Sequence, residues 1–202
     1  MTHALYLLGA PGVGKSSVMR ELLRPWTVGD YVRFTEREMF GHHLYDAPRD
    51  LKGAYLGHLR PEFPGTDALS MSVQPHAINW LKQTDGGFDC IYGEGARLGN
   101  AAFLLELARR SNLTVVLLTA SPEVVESRLQ SRPDSSSHKT GRSGRAQDQK
   151  WRDGQETRSR NTAQKMIEFL EEFPCMQVLT VDTDRAKDAS SVAQAILKAA
   201  NS

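Results

Sequence analysis

Near the start of the chain, Gly9-Ala10-Pro11-Gly12-Val13-Gly14-Lys15-Ser16 matches G-x-x-x-x-G-K-[ST], the spacing of a loop that cradles phosphates. Glycines let successive backbone N–H groups turn into one concavity, and a helix starting at the end of the loop adds partial positive charge. In such a loop Lys15 reaches the β- and γ-phosphates and the Ser16 hydroxyl binds Mg²⁺. Gly9, Gly12, Val13, Gly14, Lys15, Ser16 and Ser17 are therefore the candidate nucleotide-binding residues. The alternative is a glycine-rich turn holding a chance lysine, but it leaves both flanks unexplained. Ahead lies the apolar run Ala4-Leu5-Tyr6-Leu7-Leu8, and behind it Val18, Met19, Leu22 and Leu23 recur at helical spacing. The motif implies binding of a nucleoside triphosphate.

Phosphoryl transfer asks for the γ-phosphate to be held in line with an acceptor, its charge neutralised and water kept out. Acids near the metal or the acceptor, and arginines on a closing segment, meet those needs. Glu94 directly follows an apolar stretch and is boxed by Gly93 and Gly95. It suits an acid that joins Ser16 at the metal, against the plainer reading of a solvated turn carboxylate. Arg97 is either a phosphate partner or a surface ion-pair partner. Asp67, in Phe63-Pro64-Gly65-Thr66-Asp67, reads as a helix N-cap or as a base for the acceptor hydroxyl. Arg128 and Arg132 fall where a lid would hinge and can clamp phosphates bidentately, although a charge-rich loop is more often only solvated.

These residues need elements to position them. Asp30–Phe34 and Gly53–Gly57 are possible short strands within an otherwise irregular, aromatic-rich stretch from Pro25 to Pro64. Its aromatics, Trp26 to Tyr55, suit stacking on a base or ordinary packing. Thr66–Met71 reads as a helix start, and Pro75 opens or kinks a second helical stretch through Leu81. Phe88–Gly93, the β-branched run Leu113–Leu118 and Met176–Val181 read as strands. Helices follow, capped by Asn100, opened by Ser121-Pro122, and spanning Ala189–Ala199. Strands alternating with helices predict an α/β fold: a five-stranded parallel sheet flanked by helices in one domain over residues 1–202, with 25–65 an acceptor-side insert. The region 131–160 is expected to form an arginine-rich lid, with Ser131–Arg145 a polar mobile loop.

The net charge of +1 provides no global field toward nucleic acid or membrane. Between Glu126 and Lys165, however, ten lysines and arginines face five acids, so any such attraction is local. Cys90 and Cys175 lack metal-type spacing and fit a reducing, cytoplasmic setting. Neither a signal peptide nor an apolar span is read, and no separate domain is expected ahead of the loop.

The order of phosphate loop, insert, acid, arginine lid and closing strand–helix resembles the P-loop kinases, with their P-loop NTPase fold. Leu56-Gly57, then Phe63-Pro64-Gly65-Thr66-Asp67-Ala68-Leu69-Ser70-Met71 and Tyr92-Gly93-Glu94-Gly95-Ala96-Arg97-Leu98, are similar to a phage-type branch of 5-hydroxymethyluracil DNA kinases. That resemblance implies ATP with Mg²⁺, the host cytoplasm for a phage-encoded chain, and a hydroxymethylated base in DNA as acceptor. It also implies Asp67 as base or orienting acid, Glu94 as metal-side acid and Arg97 as phosphate partner. Two positions depart from the pattern: Ala96 stands where the family has an acid, and Gln155 follows Gly154 where it has arginine. The sequence thus supports three readings. One is a kinase of a modified base in DNA; another is a kinase of a free nucleoside monophosphate or small hydroxylated metabolite. The third is a nucleotide-dependent switch, against which stands the lack of a guanine-reading N-K-x-D. Oligomeric state stays open.

Overall fold

Alternation at two-residue spacing in the first strand sets the layering of the molecule. The computed structural model describes residues 2–36, 38–47, 50–60, 64–84, 87–131 and 149–200. In β1 (Thr2–Leu8), Ala4, Tyr6 and Leu8 enter one hydrophobic cluster while Leu5 and Leu7 enter another. A strand buried on both faces belongs in the middle of a covered sheet, and β1 lies between β5 (Cys90–Glu94) and β6 (Ser111–Thr119), parallel to both. The helices α2 (Val73–Gln83), α3 (Ala101–Ala108) and α5 (Gln149–Glu168) contribute Trp80, Phe103, Leu104 and Met166 to the first cluster. On the other side α1 (Lys15–Leu23) and α6 (Ala189–Ala200) supply Met19, Leu22 and Ile196. Between β6 and the last strand, β7 (Gln177–Asp182), comes α4 (Pro122–Gln130).

The sheet has seven strands in the order β2-β3-β4-β5-β1-β6-β7, not five. It is mixed: from β4 (Leu51–Leu56) to β7 the neighbours are parallel, while β2 (Thr27–Arg33) and β3 (Phe40–Tyr45) pair antiparallel. The stretch expected to be largely irregular is therefore an antiparallel ribbon joined to the parallel sheet through β4. Its β3, Phe-Gly-His-His-Leu-Tyr, lacks a clean apolar alternation because its aromatic and histidine side chains serve both faces. Phe34 and His43 stack toward Trp80 of α2 on one side, and Tyr31, Phe40 and His42 cluster on the other.

Thr66–Met71 is not the start of a long helix. Thr66–Ala68 forms a single 3₁₀ turn preceded by Gly65, and Leu69 then turns extended with its side chain buried. The helix begins at Val73 and runs unkinked in register past Pro75, which sits in the first turn where its missing N–H is not needed. Asn100 and Ser121 cap α3 and α4 as expected, accepting the Phe103 and Val124 N–H groups. Residues 149–160, read as part of the lid, are helical and belong to the twenty-residue α5. The remainder of the lid, with Arg132, Lys139, Arg142 and Arg145, lies outside the described residues. Among the described residues no helix is long and apolar enough to cross a membrane.

Candidate functional site

The loop from Gly9 to Gly14 connects the C-terminal end of β1 to α1, at the edge where parallel strands present ligands. Gly14 adopts φ +95° as the residue preceding α1, a left-handed conformation that a side chain resists. Three supports hold the loop from behind. The Lys15 Nζ donates to the carbonyl oxygens of Gly9 (2.8 Å) and Ala10 (2.9 Å). Thr183, buried just after β7, places its Oγ1 3.1 Å from the Val13 carbonyl and 3.0 Å from that of Thr119. Arg128 of α4 donates to Thr183 Oγ1 (2.9 Å) and to its carbonyl (3.1 Å), with Nη1 close to Gly14. Arg128 thus lies beside the phosphate loop, tied to the β7 end. Thr183 was not singled out by the sequence reading, because nothing local marks it.

Across from the loop stands Glu94, the last residue of β5, 1% exposed. Ser16 Oγ donates to its Oε2 at 3.1 Å, and Tyr55 of β4 donates to its Oε1 at 3.1 Å. A solvated turn carboxylate is excluded by that burial. Burial pushes the Glu94 carboxyl above its ordinary range, opposed by the Lys15 charge and by the Ser16 and Tyr55 hydroxyls. Burial, and after it the Glu94 carboxylate, likewise push the Tyr55 hydroxyl well up. The Ser16 hydroxyl and the Glu94 carboxylate are hard oxygen donors, a set that fits Mg²⁺ when phosphate and water complete the shell.

Asp67 does not cap a helix. Its Oδ1 accepts the Ala96 N–H at 2.7 Å, pinning the 3₁₀ turn to the turn after β5. The join is tightened by Thr66, which donates to the Glu94 carbonyl (2.8 Å), and by Tyr6, which donates to the Gly95 carbonyl (2.9 Å). Asp67 lies close enough to Glu94 for its charge to raise that carboxyl further. Arg97, in the same turn, donates from Nη1 to Met71 Sδ, while its buried Nε has no partner among the described residues. It leans on the 66–71 segment.

A cavity of about 340 Å³ opens between α1 and the segment after β4, lined by Ser16, Arg20, Leu59, Arg60, Pro64 and Glu94. The structure therefore brings Ser16, Lys15, Glu94 and Arg128 around one loop and Asp67 beside Glu94, with Arg97 one turn farther. Arg20 and Arg60 were missed by the sequence reading, and Tyr55, read there only as an aromatic for base stacking or packing, holds Glu94. The one signal for Arg20 was its position four residues after Ser16, which puts both on one helix face. A family model described as P-loop Nucleotide Kinase3 matches residues 1–194. No curated protein matches the chain.

Proposed function

The chain belongs to the P-loop nucleotide kinase family, and we propose that it transfers the γ-phosphate of ATP to a hydroxyl of a nucleotide-type acceptor held in the Ser16–Glu94 cavity. The observation that carries this reading is the Ser16–Glu94–Tyr55 hydrogen-bonded set, which lies between the phosphate loop and a cavity of about 340 Å³. ATP would occupy the loop of Gly9, Gly12, Val13, Gly14, Lys15, Ser16 and Ser17, with Lys15 leaving the Gly9 and Ala10 carbonyls to meet the β- and γ-phosphates. Bound Mg²⁺, held by Ser16 and near Glu94, would neutralise charge on the transferring group. Tyr55 orients the Glu94 carboxylate. Asp67 orients the acceptor hydroxyl or takes its proton, Arg128 meets phosphate from the far side of Gly14, and Arg97 steadies the 66–71 wall. Arg132 would join from the lid.

Within nucleotide-type acceptors, the resemblance of the 56–71 and 92–98 stretches supports 5-hydroxymethyluracil in DNA. The modest volume of the cavity, about 340 Å³, supports a second reading, a free nucleotide. The test is transfer of labelled γ-phosphate from ATP to an oligonucleotide carrying 5-hydroxymethyluracil, beside a panel of free nucleosides and nucleoside monophosphates. Label on the oligonucleotide alone supports the first reading, and label on a free nucleotide the second. Release of inorganic phosphate with no labelled acceptor would overturn both.

A further inference from the structure

The turn that carries Asp67 is held differently on its two sides. Ahead of Asp67, Thr66 donates to the Glu94 carbonyl, its Oγ1 lies 3.0 Å from the Tyr6 hydroxyl, and Gly65 exchanges backbone hydrogen bonds with His58. Behind it the chain passes buried Leu69 and the 79% exposed Met71 to reach Ser72, which precedes α2. Ser70 and Ser72 form a corner there, with Ser70 Oγ 2.8 Å from Ser72 Oγ and accepting the Ser72 N–H at 3.2 Å. Two polar side chains reach this rear arm from elsewhere in the fold. Arg97 meets Met71, and Glu38, from the loop joining β2 to β3, meets Ser72. The Ser72 hydroxyl donates to Glu38 Oε2 at 2.6 Å, and His76 Nε2, one turn into α2, lies 3.9 Å from the same oxygen.

A glutamate is an unexpected residue at that place. Glu38 has φ +59°, and among the described residues it is the only one besides glycines with a positive φ. Glycine or asparagine adopts this left-handed conformation far more readily than a long side chain does. The neighbours of Glu38 account for the loop but not for the glutamate. Met39 is buried in the first hydrophobic cluster, Phe34 stacks on Trp80 of α2 with ring centroids 5.2 Å apart, and the Phe34 N–H donates to the Met39 carbonyl at 2.8 Å. Those contacts seat the hairpin on α2 whatever side chain stands at 38. A carboxylate kept on a strained backbone points to a role for the carboxylate itself. It arrives at the N-terminal end of α2, whose first turn has no acid of its own and whose N-cap Ser72 makes no side-chain capping bond. Negative charge is favoured there.

We infer that Glu38 is a positioning residue: from the tip of the β2–β3 hairpin it clasps Ser72, fixes the rear arm of the 66–72 segment, and so aims Asp67 at the acceptor hydroxyl. The inference rests on the reading of Asp67 as the acceptor-side acid, but the clasp has a readout that needs no turnover. The Ala96 N–H, on an exposed residue, donates to Asp67 Oδ1 at 2.7 Å, so its hydrogen exchange reports where Asp67 stands. The test follows that exchange by NMR in the full chain, beside ATP-dependent transfer to the acceptor that the wild type uses. Glu38→Gly removes the carboxylate and relieves the backbone together, so the unfolding temperature should change little. We expect Ala96 to exchange about tenfold faster, toward the rate in Asp67→Ala, and kcat for transfer to fall about tenfold with KM for ATP unchanged, well within what a small misplacement of a reacting group costs. Ser72→Ala should act in the same way. Glu38→Gln, which keeps an acceptor for the Ser72 hydroxyl, should recover most of both effects. In the Asp67→Ala background Glu38→Gly should cost nothing further, because a residue that acts through another adds no loss once the other is gone. Unchanged Ala96 exchange in Glu38→Gly would overturn the clasp. So would losses that add to those of Asp67→Ala, a KM for ATP that rises in step, or faster exchange with undiminished transfer. If the wild type phosphorylates no acceptor, the reading of Asp67 fails, and Ala96 exchange by itself upholds or overturns the clasp.

Discussion

The two sides of the site are built in opposite ways. On the nucleotide side a contiguous loop between β1 and α1 presents its own backbone, and the supports from Arg128 and Thr183 reach it from behind. On the side proposed for the acceptor, the lining comes from no contiguous segment. Tyr55 comes from β4, Asp67 from a 3₁₀ turn, Arg20 from α1, and Arg60 from a wall braced by His42 of β3. The sheet repeats the contrast, with parallel strands under the loop and an antiparallel ribbon beside the cavity. A phosphate chain is the same in every nucleoside triphosphate, so a backbone cradle suffices for it. An acceptor must be told from others, and only side chains brought from several elements can do that.

The largest effect expected from breaking this division is at Lys15. Lys15→Ala should lower transfer on the order of 10³-fold, the scale of losing a preorganised charge stabiliser, with thermal unfolding little changed; retained turnover would remove the loop from the chemistry. Next comes Asp67→Asn, expected to cut transfer to the acceptor by about 10²-fold, the low end for a positioned proton acceptor, while ATP affinity holds. If ATP and acceptor steps fall together, Asp67 is only the pin between the 3₁₀ turn and Ala96. Tyr55→Phe and Thr183→Val form a matched pair with effects of about tenfold, the size of one buried hydrogen bond to a charged or otherwise orphaned partner. Tyr55→Phe should raise the Mg²⁺ needed for half-maximal rate, and Thr183→Val should raise the KM for ATP. Crossed outcomes, with Thr183→Val acting on the acceptor alone, would dissolve the comparison.

The smallest signal concerns the joint between the two halves. Cys90 lies at the start of β5, where β4 and β1 flank it, and burial followed by the Asp89 charge pushes its thiol up to about 12. At pH 8 iodoacetamide should therefore modify the exposed Cys175 and spare Cys90. Labelling of Cys90 faster than global unfolding, followed by mass spectrometry, would mean that the ribbon detaches as a separate unit.

The phosphate loop, the helix after it, the strands β1, β5, β6 and β7, and the caps at Asn100 and Ser121 were legible because each is written in adjacent residues. Backbone conformation, helix capping and two-residue alternation act over a few positions, so a one-dimensional pattern carries them. The same reasoning brought out Glu94, since an apolar run ending in an acid between glycines is itself a local pattern. The ribbon was half hidden: β3 mixes glycine, histidine and aromatics because both its faces are used, and neither face is uniformly apolar. Asp67, read as a helix cap or a base, was not legible in its bond, since the Ala96 N–H that it accepts lies twenty-nine residues away.

Sequence alone thus determined that the chain builds an α/β sheet with a P-loop between its first strand and first helix. Tertiary structure alone decided the number of strands, the burial of Glu94 between two hydroxyls, and the place of Ser16 and Glu94 in the wall of one cavity. The physical reason is range. A phosphate cradle needs only consecutive N–H groups, whereas a cavity wall exists only after packing has joined segments that no sequence pattern connects.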